Sequence, residues 1–223
     1  MNDPHSPAPN PSFRLIASRF PPIGLFDTVA TPADLEAVME LAGWTNDRLV
    51  AERIARLPKD DWVHGRPNAS VVMAAFLHVA PGGMRFNGPD LGAWYAAAAL
   101  PAAIAEVGHH LRREAFASVA NSLTRQYRTY TAHLDGAYID IRGRQAARRD
   151  VYAAGSYAGG QVFGEAVRAS GGSGIVYDSL RYQGGVNAVA YRPRNVLDVT
   201  QTDHFELRVE PATTRIEVRR LIA

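Results

Sequence analysis

The sequence predicts an α+β fold, a single domain of mixed, short-stranded sheets flanked by helices. Two segments carry apolar residues at helical spacing, Leu35, Val38, Met39 and Ala42, then Leu100, Ile104, Val107 and Leu111. Several other runs are short, β-rich and bounded by Gly, Pro or Asp-Gly. No internal repeat or linker divides the chain. The 223 residues suffice for one sizeable core.

The elements follow in order. Residues 1–12, MNDPHSPAPNPS, read as a flexible leader without the apolar run of a secretory signal. Residues 13–26 read as a short strand and then an extended connection, since Pro21-Pro22 ends regular structure. Thr31-Pro32 opens a helix, with Thr31 as N-cap, Pro32 at the first position, and Gly43 closing it. A second helix covers 45–57 and stops at Pro58. Residues 58–70 are turn-rich, and 70–80 read as a strand before Pro81-Gly82-Gly83. Residues 92–97 suit a short strand, in which Trp94 and Tyr95 face opposite ways. A helix then runs from Leu100 to about Ser118, with Pro101 in its tolerant first turn.

Residues 127–142 read as a hairpin around Asp135-Gly136. A helix over 157–169 ends at Gly171-Gly172. Residues 174–177 and 186–191 are β-rich. A hairpin of 204–209 and 214–220 closes the domain, 13–223, whose core is 70–193 between a helical extension and that hairpin.

Composition narrows the chemistry. There are no cysteines, which excludes disulfides, thiolate zinc sites and cysteine nucleophiles. The net charge of +2 does not argue for nucleic acid. No apolar run is long enough to span a membrane. A cytoplasmic protein is expected.

The segment from Gly82 to Glu106 sets Arg85, Tyr95 and Glu106 among small, apolar residues. Arg85 follows Gly82-Gly83-Met84, where backbone can approach a ligand and a guanidinium can grip a phosphate or carboxylate; a surface-loop arginine fits the same position. Tyr95 suits a pocket wall or a core aromatic. Glu106 suits a site, or a solvated helix face paired with His110 at i,i+4. A metal site at Glu106, His109 and His110 is not expected, because Glu106 and His110 share a face while His109 points about 100° away from His110, and the helix holds no His-x3-His pair. Ser179 lies between a β-rich run and Gly184-Gly185, where a turn serine also fits. Ser156 lacks a Gly-x-Ser-x-Gly frame, and the basic run 142–149 lacks interleaved aromatics.

Taken together, GGMRFNG (82–88), WYAA (94–97), IAE (104–106) and GIVYDSLRYQGGVNAVAYRP (174–193) resemble the RES-domain family, the toxins of Xre–RES toxin–antitoxin pairs. Arg85 to Tyr95 is ten residues and Tyr95 to Glu106 eleven, the family's spacing. The resemblance spans most of 13–193. It implies an ADP-ribosyltransferase-like fold that takes NAD as substrate, cleaves the nicotinamide–ribose bond by hydrolysis or phosphorolysis, and needs no metal. It implies a cognate Xre-type antitoxin as partner, and is compatible with a homo-oligomer. It assigns Arg85, Tyr95, Glu106 and Ser179 to catalysis. It assigns Arg19, Arg85, Tyr95 and Asn187 to NAD contacts, with Arg14 versus Arg19 undecided. Two other readings remain open: a protein ADP-ribosyltransferase, and a non-enzymatic nucleic-acid module using 142–149 and 219–220, although direct nucleic-acid binding is not expected.

Overall fold

The computed structural model describes residues 3–20, 24, 26–31, 34, 37 and 48–222. Its centre is a nine-stranded sheet in the order β1-β5-β6-β7-β3-β2-β4-β8-β9. The strands are β1 His5–Ser6, β2 Ser12–Ala17, β3 Trp94–Ala97, β4 Leu123–Leu134, β5 Tyr138–Asp140, β6 Gly174–Asp178, β7 Val186–Ala190, β8 Val196–Val209 and β9 Ile216–Leu221. Every pairing is antiparallel except β5 with β6. The described helices are α1 Arg48–Ala55, α2 Ala69–Leu77, α3 Leu100–Ala117 and α4 Ala158–Ala169. The α+β class therefore holds, with one correction: β4 and β8 are long, at 12 and 14 residues.

Alternation along β3 sorts its side chains as expected. Trp94 is fully buried with α2 in the largest apolar cluster, while Tyr95 packs in another with Phe86, Tyr177 and Val189. A third cluster takes Leu100, Ile104, Val107 and Leu111 of α3 against β2, β4 and β8. That stripe fixes the rotation of α3 and turns Glu106 away from the apolar seam. Arg14 of β2, the strand next to β3, is half-buried; its Nη1 donates to the Tyr95 carbonyl at 2.9 Å and its guanidinium stacks 4.7 Å from the Trp94 ring. Burial lowers the Arg14 pKa to about 10, against a smaller opposing effect of Tyr95.

Three expectations fail. Residues 70–80 begin as α2, not as a strand. An unbroken apolar run has no period that separates a buried strand from a buried helix. Here α2 is buried almost all round, and Asp27 supplies its N-terminal anchor, accepting from Asn68 N–H at 3.2 Å and Ser70 N–H at 2.7 Å. Second, 127–142 is not a hairpin. Both edges of β4 are taken by β2 and β8, so after Asp135-Gly136 the chain crosses to the far half of the sheet, where β5 joins β1 and β6.

Third, residues 3–12 are not a loose leader. His5–Ser6 add an edge strand to β5, Ser12 starts β2, and Asp3 accepts from Arg144 at 2.9 Å and also from Arg148. The remaining elements lie close to where they were expected, including β3, α3, α4, β6, β7 and the β8–β9 hairpin. Thr31 caps as expected, accepting from Asp34 N–H at 3.2 Å. The rest of that helix, and the start of the one expected at 45–57, lie outside the described residues.

Candidate active site

The site is built at one end of β3, β6 and β7, where α3 passes over them. Asn187 in β7 pairs with Ala97 of β3 on one side and Tyr177 of β6 on the other. Ala97 lies just before α3, so Glu106, in the second turn of that helix, comes back over the strand ends. Ser179 follows β6 in a tight turn, with its N–H donating to the Gly185 carbonyl at 2.8 Å.

These three residues meet at one oxygen. Ser179 Oγ donates to Glu106 Oε1 at 2.7 Å, and Asn187 Nδ2 donates to the same oxygen at 2.7 Å. The serine proton has no other direction available. Its Oγ already accepts from the Arg181 and Tyr182 N–H groups, each at 3.1 Å. Ser179 and Asn187 are buried, and Glu106 is half-buried. No arginine, lysine or histidine among the described residues forms an ion pair with Glu106, and its Oε2 has no hydrogen-bond partner among them. One carboxylate oxygen is thus fixed by neutral donors and the other is available.

The arginine loop is shaped by α4. Gly160 and Gly164 lie one turn apart, and a Cβ there would come 2.4 Å from the Arg85 carbonyl and 2.1 Å from the Phe86 carbonyl. Only glycine lets the helix lie this close. Gln161 Nε2 donates to the Gly82 and Met84 carbonyls at 2.8 and 3.0 Å, and Glu165 accepts from Gly88 N–H at 2.9 Å. Gly160 and Gly164 serve this packing, whereas Gly159 lies against Asp150 and Gly155 against open space.

Arg85 is 9% exposed. Its Nη1 donates to the carbonyls of Val151 and Ala153, at 3.3 and 3.0 Å, and its guanidinium stands over the Tyr157 ring at 5.0 Å. Tyr95 joins it through the backbone: the Tyr95 hydroxyl accepts from Phe86 N–H at 2.9 Å and donates to Asn87 Oδ1 at 2.8 Å. Burial raises the Tyr95 pKa.

Electrostatics ties the two halves together. Tyr177 is held protonated first by burial, then by Glu106 and Tyr95, with Arg85 acting the other way. His110 is held neutral by burial, opposed by Glu106 and reinforced by Arg113, Arg181 and Arg85. Arg85, Tyr95 and Glu106 thus all lie within electrostatic reach of Tyr177. Sequence reasoning did not single out Tyr157, Tyr177, Asn87 or Arg181. Asn87 was legible as part of the glycine-flanked RFN run; the other three come near only through tertiary packing.

Arg19 is not brought to this site. Its side chain is 55% exposed, lies over Phe20 and forms an ion pair at 3.8 Å with Glu114, two turns beyond Glu106. Much of the basic run 142–149 is committed inside the molecule: Arg142 binds Asp140 at 2.5 Å, and Arg144 and Arg148 bind Asp3. Arg219 and Arg220 bind Glu206 and Asp203. Among the described residues no His, Asp or Glu cluster fits a metal ion, and no helix is long and apolar enough to cross a membrane.

A family model described as the RES domain matches residues 52–210, a span that contains Arg85, Tyr95, Glu106, Ser179 and Asn187. Among solved structures, the chain is similar to the MbcT–MbcA toxin–antitoxin complex of M. tuberculosis. The identity is 21% and the TM-score 0.42, over 59% of this chain and 74% of that one. No curated protein matches the chain.

Proposed function

The chain belongs to the RES-domain family, and on that premise we propose that it destroys NAD by breaking the nicotinamide–ribose bond, as the toxin of a toxin–antitoxin pair. The observation that carries the reading is the divided Glu106 carboxylate, with Oε1 held at 2.7 Å by Ser179 and by Asn187 and Oε2 available.

When the bond breaks, its electron pair leaves with the nicotinamide nitrogen, whose ring becomes neutral. The ribose is left as an oxocarbenium-like cation. An anion fixed beside that carbon lowers the barrier, because the charge it opposes develops only in the transition state. Glu106 is that anion, or holds the ribose hydroxyls beside it. Ser179 and Asn187 keep it from rotating. Water then adds to the ribose carbon and loses a proton, giving ADP-ribose. Phosphate, as the alternative acceptor, adds through an oxygen.

Arg85 is the contact for the NAD diphosphate, with Tyr157 and the Val151 and Ala153 carbonyls holding its planar group in place. Tyr95 and Tyr177 form the aromatic wall for the nicotinamide ring. The position of Arg19 gives no support for the second phosphate contact expected of it. The antitoxin partner, expected to be of the Xre type, and the cytoplasmic setting follow from the toxin reading.

The test is release of nicotinamide from NAD by the purified chain and by Glu106→Gln. The parent is expected to consume NAD and the variant to do so roughly 10²- to 10³-fold more slowly with an unchanged melting temperature; equal rates would remove the assignment. Labelled NAD separates free ADP-ribose, expected here, from labelled protein, which would indicate a transferase. The ion-paired state of Arg142, Arg144, Arg148, Arg219 and Arg220 does not favour the nucleic-acid reading.

A further inference from the structure

Strand β9 ends the sheet. Among the described residues only β8 pairs with it, so its outer edge presents backbone donors and acceptors with no strand beside them. Such an edge is a template for another strand unless something blunts it. Proline, a bulge, a very short strand or charged side chains with no complement on the incoming strand would do so. β9 runs six residues, Ile216–Leu221, without proline and in unbroken register with β8. Val218, near its middle, is 44% exposed, and its charged residues carry both signs.

Those signs are ordered. In the β8–β9 ladder Glu206 lies opposite Arg219 at 2.7 Å, and Arg208 lies opposite Glu217 at 3.6 Å. Residues directly opposite share a face of the sheet. Two copies of β9 pairing antiparallel about a two-fold axis normal to the sheet keep each face on its own side. Positions that meet across the axis must then differ by an even number. Centring the axis on Val218 meets this condition. It places Glu217 opposite Arg219 of the second copy, and Arg219 opposite Glu217 of the second copy. One row then alternates without a break through Glu206, Arg219, and the second copy's Glu217 and Arg208.

We infer that the outer edge of β9 is a homodimer interface, with Val218 at the two-fold axis between two Glu217–Arg219 pairs. The occupant is a second copy, because the strand is complementary in charge to itself in the one register that sets Val218 against Val218. Six residues a side make a small interface, so the dimer is concentration-dependent. The proposed NAD site, at the ends of β3, β6 and β7, remains open in it.

Sedimentation velocity on the full chain across a wide concentration range tests this. The parent is expected to shift from monomer to dimer, less so in high salt. Glu217→Arg turns each pair across the axis into two facing cations, and Arg219→Glu turns each into two facing anions, so each variant alone is expected to stay monomeric. Mixed in equal amounts, the two variants restore opposite charges on both sides of the axis and are expected to recover a mixed dimer. Val218→Lys, which leaves every ion pair within the chain intact, is expected to be monomeric with an unchanged melting temperature. A parent that remains monomeric overturns the inference, including one that only binds a different protein at this edge. So does a dimer that survives Val218→Lys, or single variants that fail to pair when mixed.

Discussion

Asp61 is buried and Glu106 half-buried, and they are held in opposite ways. Asp61, with a side chain 4% exposed, meets two cations, Arg192 at 3.2 Å and Arg194 at 3.0 Å. Glu106 meets two neutral donors. A carboxylate between two guanidiniums has its charge answered within the fold and works as a clamp. A carboxylate fixed by a hydroxyl and an amide keeps its charge available to whatever binds beside it. Asp3, between Arg144 and Arg148, repeats the Asp61 pattern. Neutral donors alone do not mark a reactive acid, since Asp27 anchors α2 by accepting from the Asn68 and Ser70 N–H groups; what sets Glu106 apart is that both of its donors meet one oxygen and leave the other available.

The largest expected effect tests that contrast directly. Glu106→Gln should lower NAD turnover by roughly 10²- to 10³-fold, about 3–4 kcal/mol in the barrier, with little change in melting temperature. Asp61→Asn should do the reverse. It should cost about 3 kcal/mol of stability in a denaturant titration, because two arginines lose their anion, while turnover per folded molecule stays level. A variant pair in which both acids moved the same observable would erase the distinction.

Ser179→Ala is next. Removing a hydrogen bond to a charged group is worth about 2 kcal/mol, so turnover should fall roughly thirtyfold at constant fold. An unchanged rate would mean that Asn187 alone fixes the carboxylate. Asp3→Asn should act through the turn it clamps. The Arg148 carbonyl accepts from Tyr152 N–H at 3.1 Å, and the Val151 and Ala153 carbonyls on either side of that residue hold Arg85. A loss of about 1 kcal/mol there should raise KM for NAD several-fold and leave kcat alone. A fall in kcat instead would place Asp3's influence on Glu106.

The smallest effect concerns pH. His109 is lowered from 6.5 to about 4, first by burial and then by Arg181, His110, Arg113 and Arg112. Its folded pKa lies below its unfolded one, so the unfolded chain takes up the proton first. Stability is full above about pH 6.5 and declines as pH falls toward 4. The melting temperature should fall through that window, and His109→Gln should flatten the slope.

Local sequence carries a good deal of this. The helical stripe Leu100, Ile104, Val107 and Leu111 located α3 and put Glu106 off the buried seam. The spacing of Arg85, Tyr95 and Glu106 marked the site segment, and Ser179 with Asn187 sat in a second recognisable run. The errors share a cause. The run 70–80 is apolar almost throughout, so no period distinguishes strand from helix. Asp135-Gly136 makes a turn, but which strands become neighbours depends on edges filled from elsewhere. Arg19 looked as plausible as Arg14, and only the sheet shows one bonded to the Tyr95 carbonyl of β3 and the other at the surface beside Glu114.

The sequence by itself determined the class of fold, the position of α3 and the residues that could act, because periodicity, turns and residue chemistry are local properties. The tertiary structure alone decided that Ser179 and Asn187 converge on one oxygen of Glu106, that Tyr157 underlies Arg85, and that residues 3–12 join the sheet. Each of these depends on segments tens of residues apart meeting within about 3–5 Å, a distance set by strand order and helix packing.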